Sequence, residues 1–308
     1  MQILFLTQVL PYPLDAGGKV RTYYLLRHLT QSHSVDLVSF VRQTDTKGAI
    51  DHLRGMCQGV YTIPMKRSGV RNVAYVLASL ATSEPWWTLR DRVPFMFRRV
   101  QDLVQKTPYD VFHADQLNMA PYALAARAHS QRVRPARPRL VLDQHNAVHL
   151  ILARLAARER DPLRRAVWAL DTRKLARYEA LMCSQFDHLI WVTREDQTAV
   201  QLMADRAGLQ LPAATVIPVC IDPDSTPALA RRNGVHRVTF LGGLHYPPNT
   251  QGILWFAEQV FPRVLARVPD AVLTIIGKDP PPELNHARKW GIGSANLDVT
   301  GYVADPRP

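Results

Sequence analysis

Little in this sequence could cross a membrane, build a disulfide framework or hold a metal ion. A spanning helix needs about 20 apolar residues in a row. The best candidate here, residues 73–81, is far shorter and soon meets Glu84 and Pro85. The chain enters Ile3-Leu4-Phe5-Leu6 with no basic segment ahead and no small-residue cleavage site behind, so its start reads as a first strand and not as a signal peptide. Cysteine is scarce. Cys57, Cys183 and Cys220 lie far apart and without metal-ligand spacing, and their odd number argues against a disulfide framework. HExxH, the GxSxG elbow, GxxxxGK[ST] and GxGxxG are all missing, which argues against zinc peptidases, serine hydrolases, P-loop enzymes and ordinary dinucleotide binding. Metal: none is the expectation, and the expected compartment is the cytoplasm.

Acidic residues are also in deficit, 26 against 38 lysines and arginines, for a net charge of +12. Arginine dominates, as at Arg132, Arg134, Arg137 and Arg139 and again across 154–177. Such a field attracts polyanions at long range. Two readings stay open: a solvated Arg-rich surface, or attraction to an anionic membrane surface or to phosphorylated substrates. No zinc-finger spacing or aromatic RNA-binding motif accompanies the charge, so specific nucleic-acid recognition is not expected. At 308 residues, 47% apolar and 21% charged, the chain has the length and balance of a globular protein of two α/β units.

What is present is an alternation of short apolar runs and longer helical stretches. Residues 3–7 form a continuous apolar run, the pattern of a buried parallel strand. A loop with Pro11, Pro13, Gly17 and Gly18 leads to a helix over 20–29. Val35, Leu37 and Phe40 mark a second strand whose alternation suggests one buried face, and 60–63 a third. Helices are expected over 72–81 and 92–105, strands over 111–113 and 140–142, and a long helical region over 150–184. Asp161-Pro162 interrupts that region, since Asp can cap and Pro can begin a helix. A strand at 188–192, a helix at 195–204 and a strand at 215–217 follow. Residues 222–235 are rich in proline and small residues and read as a linker. The pattern then restarts, with strands at 238–241, 271–276 and 297–300 and helices at 250–267 and 283–290. Alternation of this kind predicts parallel sheets covered on both faces.

In such sheets ligands lie beyond the carboxyl ends of the strands, and this ranks the polar residues. Asp15-Ala16-Gly17-Gly18-Lys19-Val20-Arg21 follows the first strand, where glycines bare the backbone and a helix N-terminus favours an anion. His113-Ala114-Asp115-Gln116 ends one strand and Asp143-Gln144-His145-Asn146 another, so two histidines and two acids could converge. His145 could donate a hydrogen bond, act as a general base or contact a sugar hydroxyl. Each histidine taken singly could equally be a hydrogen-bonded structural residue. Asp36 and Asp110, within or just before strands, are expected to be solvated or at an edge.

These motifs, in this order, resemble the bacterial glycosyltransferase family 4 proteins. Phe5-Leu6-Thr7, Pro11-Tyr12-Pro13, Gly17-Gly18 and Arg21 are similar to the family's opening, and Tyr109 through Asp115 to its second signature. Asp143-Gln144-His145-Asn146 is similar to the strand end where many members carry an active-site histidine. Arg177-Tyr178-Glu179 and the run 186–196 resemble the stretch leading out of the N-terminal domain. Val216 through Asp222 resembles the crossing motif IPNGVD, with Val219-Cys220 in place of Asn-Gly. Phe240 through Leu244, Pro247-Pro248-Asn249, Pro269-Asp270-Ala271 and Gly301-Tyr302-Val303 resemble the start of the donor domain.

The resemblance implies an α/β, GT-B architecture: two Rossmann-like doubly wound parallel-sheet domains facing a cleft, the second incomplete. The expected boundaries are 1–222 for the acceptor domain, 223–236 for the linker and 237–308 for a partial donor domain. It implies transfer of a sugar from a nucleoside diphosphate sugar, as substrate and not cofactor, to a glycolipid or polysaccharide precursor with retention, a hexosyltransferase-type reaction. The implied site has His145 and Asp115 as catalytic residues. Gly17, Gly18, Lys19, Arg21, Gln116 and Asn146 would contact substrate, and Gly242, Gly243, His245 and Asn249 the donor. Peripheral contact with an anionic inner membrane surface is a further expectation. Two departures stand out. His245-Tyr246-Pro247-Pro248-Asn249 replaces the arginine and lysine that many members use to hold the diphosphate, and the family's paired glutamates do not occur. The chain is therefore expected to be truncated within the donor domain and weak or inactive in transfer. A sugar-nucleotide epimerase on the same fold, and a truncated non-catalytic binding protein, are the alternatives.

Overall fold

The computed structural model describes residues 1–65, 69–135, 137–224, 234 and 236–303. The chain divides into two compact units, Met1–Ser225 and Thr226–Pro308. Most of the linker expected over 223–236 lies outside the described residues.

The first unit runs β1 (Gln2–Thr7), α1 (Gly17–Thr30), β2 (Ser34–Val41), α2 (Lys47–Arg54), β3 (Gly59–Pro64), α3 (Gly69–Leu80), α4 (Trp86–Leu89) and α5 (Pro94–Lys106). It continues with β4 (Val111–Asp115), α6 (Ala120–Val133), β5 (Arg139–Gln144), α7 (Val148–Arg158), α8 (Pro162–Ser184), β6 (His188–Trp191), α9 (Arg194–Arg206) and β7 (Ala214–Val216). The seven strands form one parallel sheet in the order β3-β2-β1-β4-β5-β6-β7. Successive side chains of a strand point to opposite faces, and β1 shows the result. Leu4 and Leu6 join Phe40, Phe112, Leu140, Leu142 and Trp191 in one core layer, while Ile3 and Phe5 join Leu26, Val35 and Leu37 in the other.

The one-sided burial expected of the second strand is corrected here. Val35 to Phe40 are all buried, because β2 lies inside the sheet with helices on both faces. The same burial overturns the solvated role expected of Asp36, whose carboxylate accepts a hydrogen bond from the Tyr109 hydroxyl at 2.5 Å. Asp110 does lie at the rim and accepts from the Gln2 amide at 2.7 Å. The break between α7 and α8 falls where the sequence places it. Asp161 caps α8 by accepting from the Arg164 amide at 2.8 Å, and Pro162 opens the helix.

The second unit carries β8 (Arg237–Leu241), α10 (Pro247–Trp255), α11 (Phe261–Leu265), β9 (Val272–Ile276) and β10 (Leu297–Gly301). Its strands are parallel in the order β10-β9-β8. The helix expected over 250–267 is divided. A π-helical turn, Phe256–Val260, joins α10 to α11 just ahead of Pro262, which has no N–H to continue the α-helical ladder. The helix expected over 283–290 is a 3-10 segment, Pro282–Trp290, kinked at His286.

Candidate active site

The strand order fixes where a ligand can enter the first unit. From β1 the chain moves outward to β2 and β3, then returns across β1 to β4. The connections leaving β1 and β4 therefore diverge and open a crevice at their carboxyl ends, the topological switch point of a doubly wound sheet. Register sets the residues that line it. Thr7 pairs with Asp115, and Asp115 with Asp143, so one row of polar side chains crosses the ends of β1, β4 and β5.

Asp115 is fully buried and accepts four hydrogen bonds. Thr7 Oγ1 donates to Oδ2 at 3.0 Å, Thr22 Oγ1 reaches both oxygens at 3.1 Å, and His145 Nε2 donates to Oδ1 at 2.9 Å. Burial pushes the Asp115 carboxyl up, but the His145 imidazolium and the bonds around it outweigh burial and hold it below the ordinary carboxylate range. Burial also pushes His145 down, and there too the Asp115 carboxylate prevails and raises it. Each partner thus favours the charged form of the other. His113 lies beneath the pair, stacked on Phe5 with ring centroids 4.3 Å apart. Burial lowers its pKa and keeps it neutral, and its Nε2 has no hydrogen-bond partner.

With Nε2 engaged, His145 has Nδ1 for other work. Gln116 Nε2 lies 3.4 Å from it. The backbone of Gln116 is at φ 75°, ψ 157°, a region costly for any residue with a side chain, by about 1–3 kcal/mol. The Gln116 amide donating to Asp143 O at 2.8 Å and the Met119 amide donating to Gln116 O at 3.0 Å hold it there. Gly17 and Gly18 form the first turn of α1 and are exposed. A Cβ at Gly17 would meet nothing within 4 Å, and at Gly18 it would meet only His145 Nδ1 at 3.7 Å and Gln116 Nε2 at 3.9 Å. Internal packing therefore demands glycine at neither position; what the glycines do is bare a helix-terminal backbone beside His145.

The remaining expected contacts are distributed differently. Arg21 is buried. Its Nε and Nη2 donate to Asp143 Oδ1 at 3.2 and 2.7 Å, and its Nη1 donates to the carbonyls of Ile217 and Pro218. Lys19 pairs with Asp15 at 2.9 Å one turn away on the surface, and Asn146 is exposed. Asp115, Asp143 and His145 bring potential metal-ligand atoms within 4.8 Å of one another. Arg21 and His145 already balance the two carboxylates, so the cluster is a compensated ion network. Thr22 is a site residue that the motifs do not contain, while Thr7 and Glu179 lie within motifs but had no role assigned to them. Glu179 is fully buried behind β5. It accepts from Gln144 Nε2 and the Val148 amide at 2.9 Å and from His149 Nδ1 at 2.6 Å. The buried thiols are inert: burial pushes Cys57 up to about 12 and raises Cys183 well above the usual thiol range.

In the second unit the glycine turn follows β8 and leads into α10. Asn249 Nδ2 donates to Gly243 O at 3.0 Å. A Cβ at Gly243 would lie 2.7 Å from His245 Cε1. Behind the turn, a Cβ at Gly277 would come within 2.0 Å of the Gly242 carbonyl, so the end of β9 must be glycine for the turn to pack there. Gly242, Gly243, His245 and Asn249 are thereby gathered at one strand end and one helix N-terminus.

Comparison with known proteins is consistent with this geometry. Residues 235–308 match the family described as Glycosyl transferases group 1. An uncharacterized 44.6 kDa protein in the cps region of Klebsiella pneumoniae is 22% identical over 282 residues, 90% of this chain and 64% of its own. The chain thus spans a little under two-thirds of that relative's length. The crystal structure of Anabaena Alr3699/HepE in complex with UDP aligns with a TM-score of 0.57 and 16% identity over 99% of this chain and 70% of its own. A UDP-forming α,α-trehalose-phosphate synthase from Burkholderia xenovorans gives 0.51 and 13% over 98% and 73%. The class is defined by these likenesses: the chain has the GT-B fold. Within that class, the segment 235–308 is similar to the group 1 glycosyl transferases.

Proposed function

We propose that this protein takes part in transferring a sugar from a nucleoside diphosphate sugar to a hydroxyl of a glycan or lipid-linked acceptor, with retention at the anomeric carbon. One observation carries the reading: a buried, hydrogen-bonded Asp115–His145 pair at the switch point, with the second imidazole nitrogen beside the bare backbone of Gly18. An imidazolium fixed in this way can donate from Nδ1 to a sugar hydroxyl, and Asp115 sets its orientation and charge. In the second unit the Gly242–Gly243 turn can present backbone amides to a diphosphate as it leaves, whereas α10 opens on Pro247 and Pro248, which have no N–H to give. The UDP-bound Anabaena structure has the same fold and favours this class of donor. The cps-region relative favours surface polysaccharide assembly as the setting.

The test is single-turnover assay with excess protein, labelled UDP-, dTDP- and GDP-sugars and glycan or lipid-linked acceptors, so that slow transfer registers. One donor is expected to release its nucleoside diphosphate, and His145→Ala should slow this by about 100-fold or more, the ordinary weight of a positioned acid–base group. Release indifferent to that substitution, or none from any donor, overturns the reading. Conversion of the donor without acceptor would favour the epimerase instead.

A further inference from the structure

A second cavity in the first unit is lined by none of the residues that bond Asp115. It encloses about 540 Å³ and is lined by His149, Thr172, Arg173, Ala176, Arg177, Met203, Arg206 and Ala207. Arg173 and Arg177 stand one turn apart on α8, and Arg206 closes α9 opposite them. Like charges at that helical spacing repel weakly, and a bound anion would relieve that repulsion. Several exposed or half-buried arginines of the unit are answered by carboxylates, as in Arg27–Asp222, Arg92–Glu84 and Arg127–Asp187. Among the described residues, Arg173, Arg177 and Arg206 have no such partner. The neighbouring Asp205 is held by Gln201 Nε2 at 2.7 Å.

The other lining groups narrow the ligand. Ala176, Met203 and Ala207 are apolar, and the Thr172 hydroxyl is spent on Trp168 O at 2.7 Å. His149 is buried, with Nδ1 held by Glu179 at 2.6 Å. Its Nε2 remains to accept from a protonated phosphate or a hydroxyl. Planar guanidiniums with no counter-ion suit phosphate oxygens, which they bind in pairs. We propose that this cavity between α8 and α9 binds a small phosphate-bearing molecule, its phosphate held by Arg173, Arg177 and Arg206 and its less polar part against Ala176, Met203 and Ala207. The phosphate can belong to a soluble metabolite or to a lipid headgroup.

The experiment uses the whole chain in two arms: calorimetric titration with inorganic pyrophosphate, and sedimentation with phosphatidylglycerol vesicles against uncharged ones. Each arm compares the wild type with Arg173→Gln/Arg177→Gln and with the surface control Arg154→Gln/Arg158→Gln on α7. Circular dichroism verifies that both doubles are folded. Expected is binding in at least one arm, weakened about tenfold or more in the α8 double because charge-assisted bonds are lost, and unchanged in the α7 double. Pyrophosphate binding of this kind identifies a soluble ligand and vesicle binding a headgroup. Binding in neither arm, or equal loss in both doubles, overturns the proposal. The outcome is independent of whether His145→Ala affects sugar transfer.

Discussion

At the scale of single residues, His145 is governed by two opposed effects, burial that would discharge it and the Asp115 carboxylate that keeps it charged. Asp115→Asn removes the second and leaves the first. His145 in that variant should titrate below its wild-type value, followed by the imidazole NMR signals across the pH range. Losing one charge of a buried pair should also destabilise the fold by about 3 kcal/mol in urea denaturation. The pH dependence has a definite sign. His145 is raised from 6.5, so its contribution is fully present below that pH and is lost as pH climbs through the raised value. Asp115 is lowered from 3.8, so its contribution is present above that pH and is lost as pH falls through the lowered value. A wild type that shows neither arm relative to the variant would refute the assignment. His145, Asp115 and Asp143 were legible in the sequence because each ends an apolar strand. Thr22 was not, since a threonine inside a helix carries no spacing signal, and although Thr7 also ends an apolar strand, nothing in the sequence tells that it reaches Asp115 across 108 residues. Arg21 shows the opposite limit. A charge beside a glycine loop reads as a ligand contact, yet the fold buries it against Asp143.

At the scale of elements, α7 has no cap of its own, since Ala147 at its N-cap offers no side-chain acceptor. Glu179 of α8 takes that place, accepting from the amides of Val148 and His149 while also holding Gln144 and the His149 ring. A carboxylate there also meets the positive end of the α7 dipole. Glu179→Leu would strand these donors in a dry interior and should cost about 3–5 kcal/mol. The measurement is a fall in the urea midpoint with an unchanged m-value; a change under 1 kcal/mol, roughly a surface-substitution effect, would show that the donors find other partners. Strands were the most legible elements, because short Val-, Ile- and Leu-rich runs bounded by polar residues suit little else. Helix α6 was not read. Its buried face is Ala120, Tyr122, Ala123, Ala126 and Ser130, and such small residues leave no apolar stripe in the sequence. The helix expected over 250–267 was legible as helical but not as divided, since the π-turn depends on how Phe256 and Phe261 pack.

At the scale of the whole molecule, alternation of strand and helix fixed the parallel sheets and the α/β class. The order of strands had no signal of its own, and it is that order which creates the switch point and brings 7, 115 and 143 into one row. Among the described residues no helix is long and apolar enough to cross a membrane. Arg21 carries a consequence of a different kind, in time. Its guanidinium joins the first helix to Ile217 and Pro218, 196 and 197 residues along the chain, just past the last strand of the sheet. A tie of such range can close only after nearly everything between its ends has assembled, because loop closure must be met before the bond is gained. It should be absent from the folding transition state and lost early in unfolding. Arg21→Lys is therefore expected to unfold about tenfold faster while refolding at nearly the wild-type rate, in stopped-flow measurements on the full chain. Slowed refolding would place the tie in the nucleus. Otherwise Arg21 acts as a late clasp, setting how long the first unit stays folded and not how fast it forms.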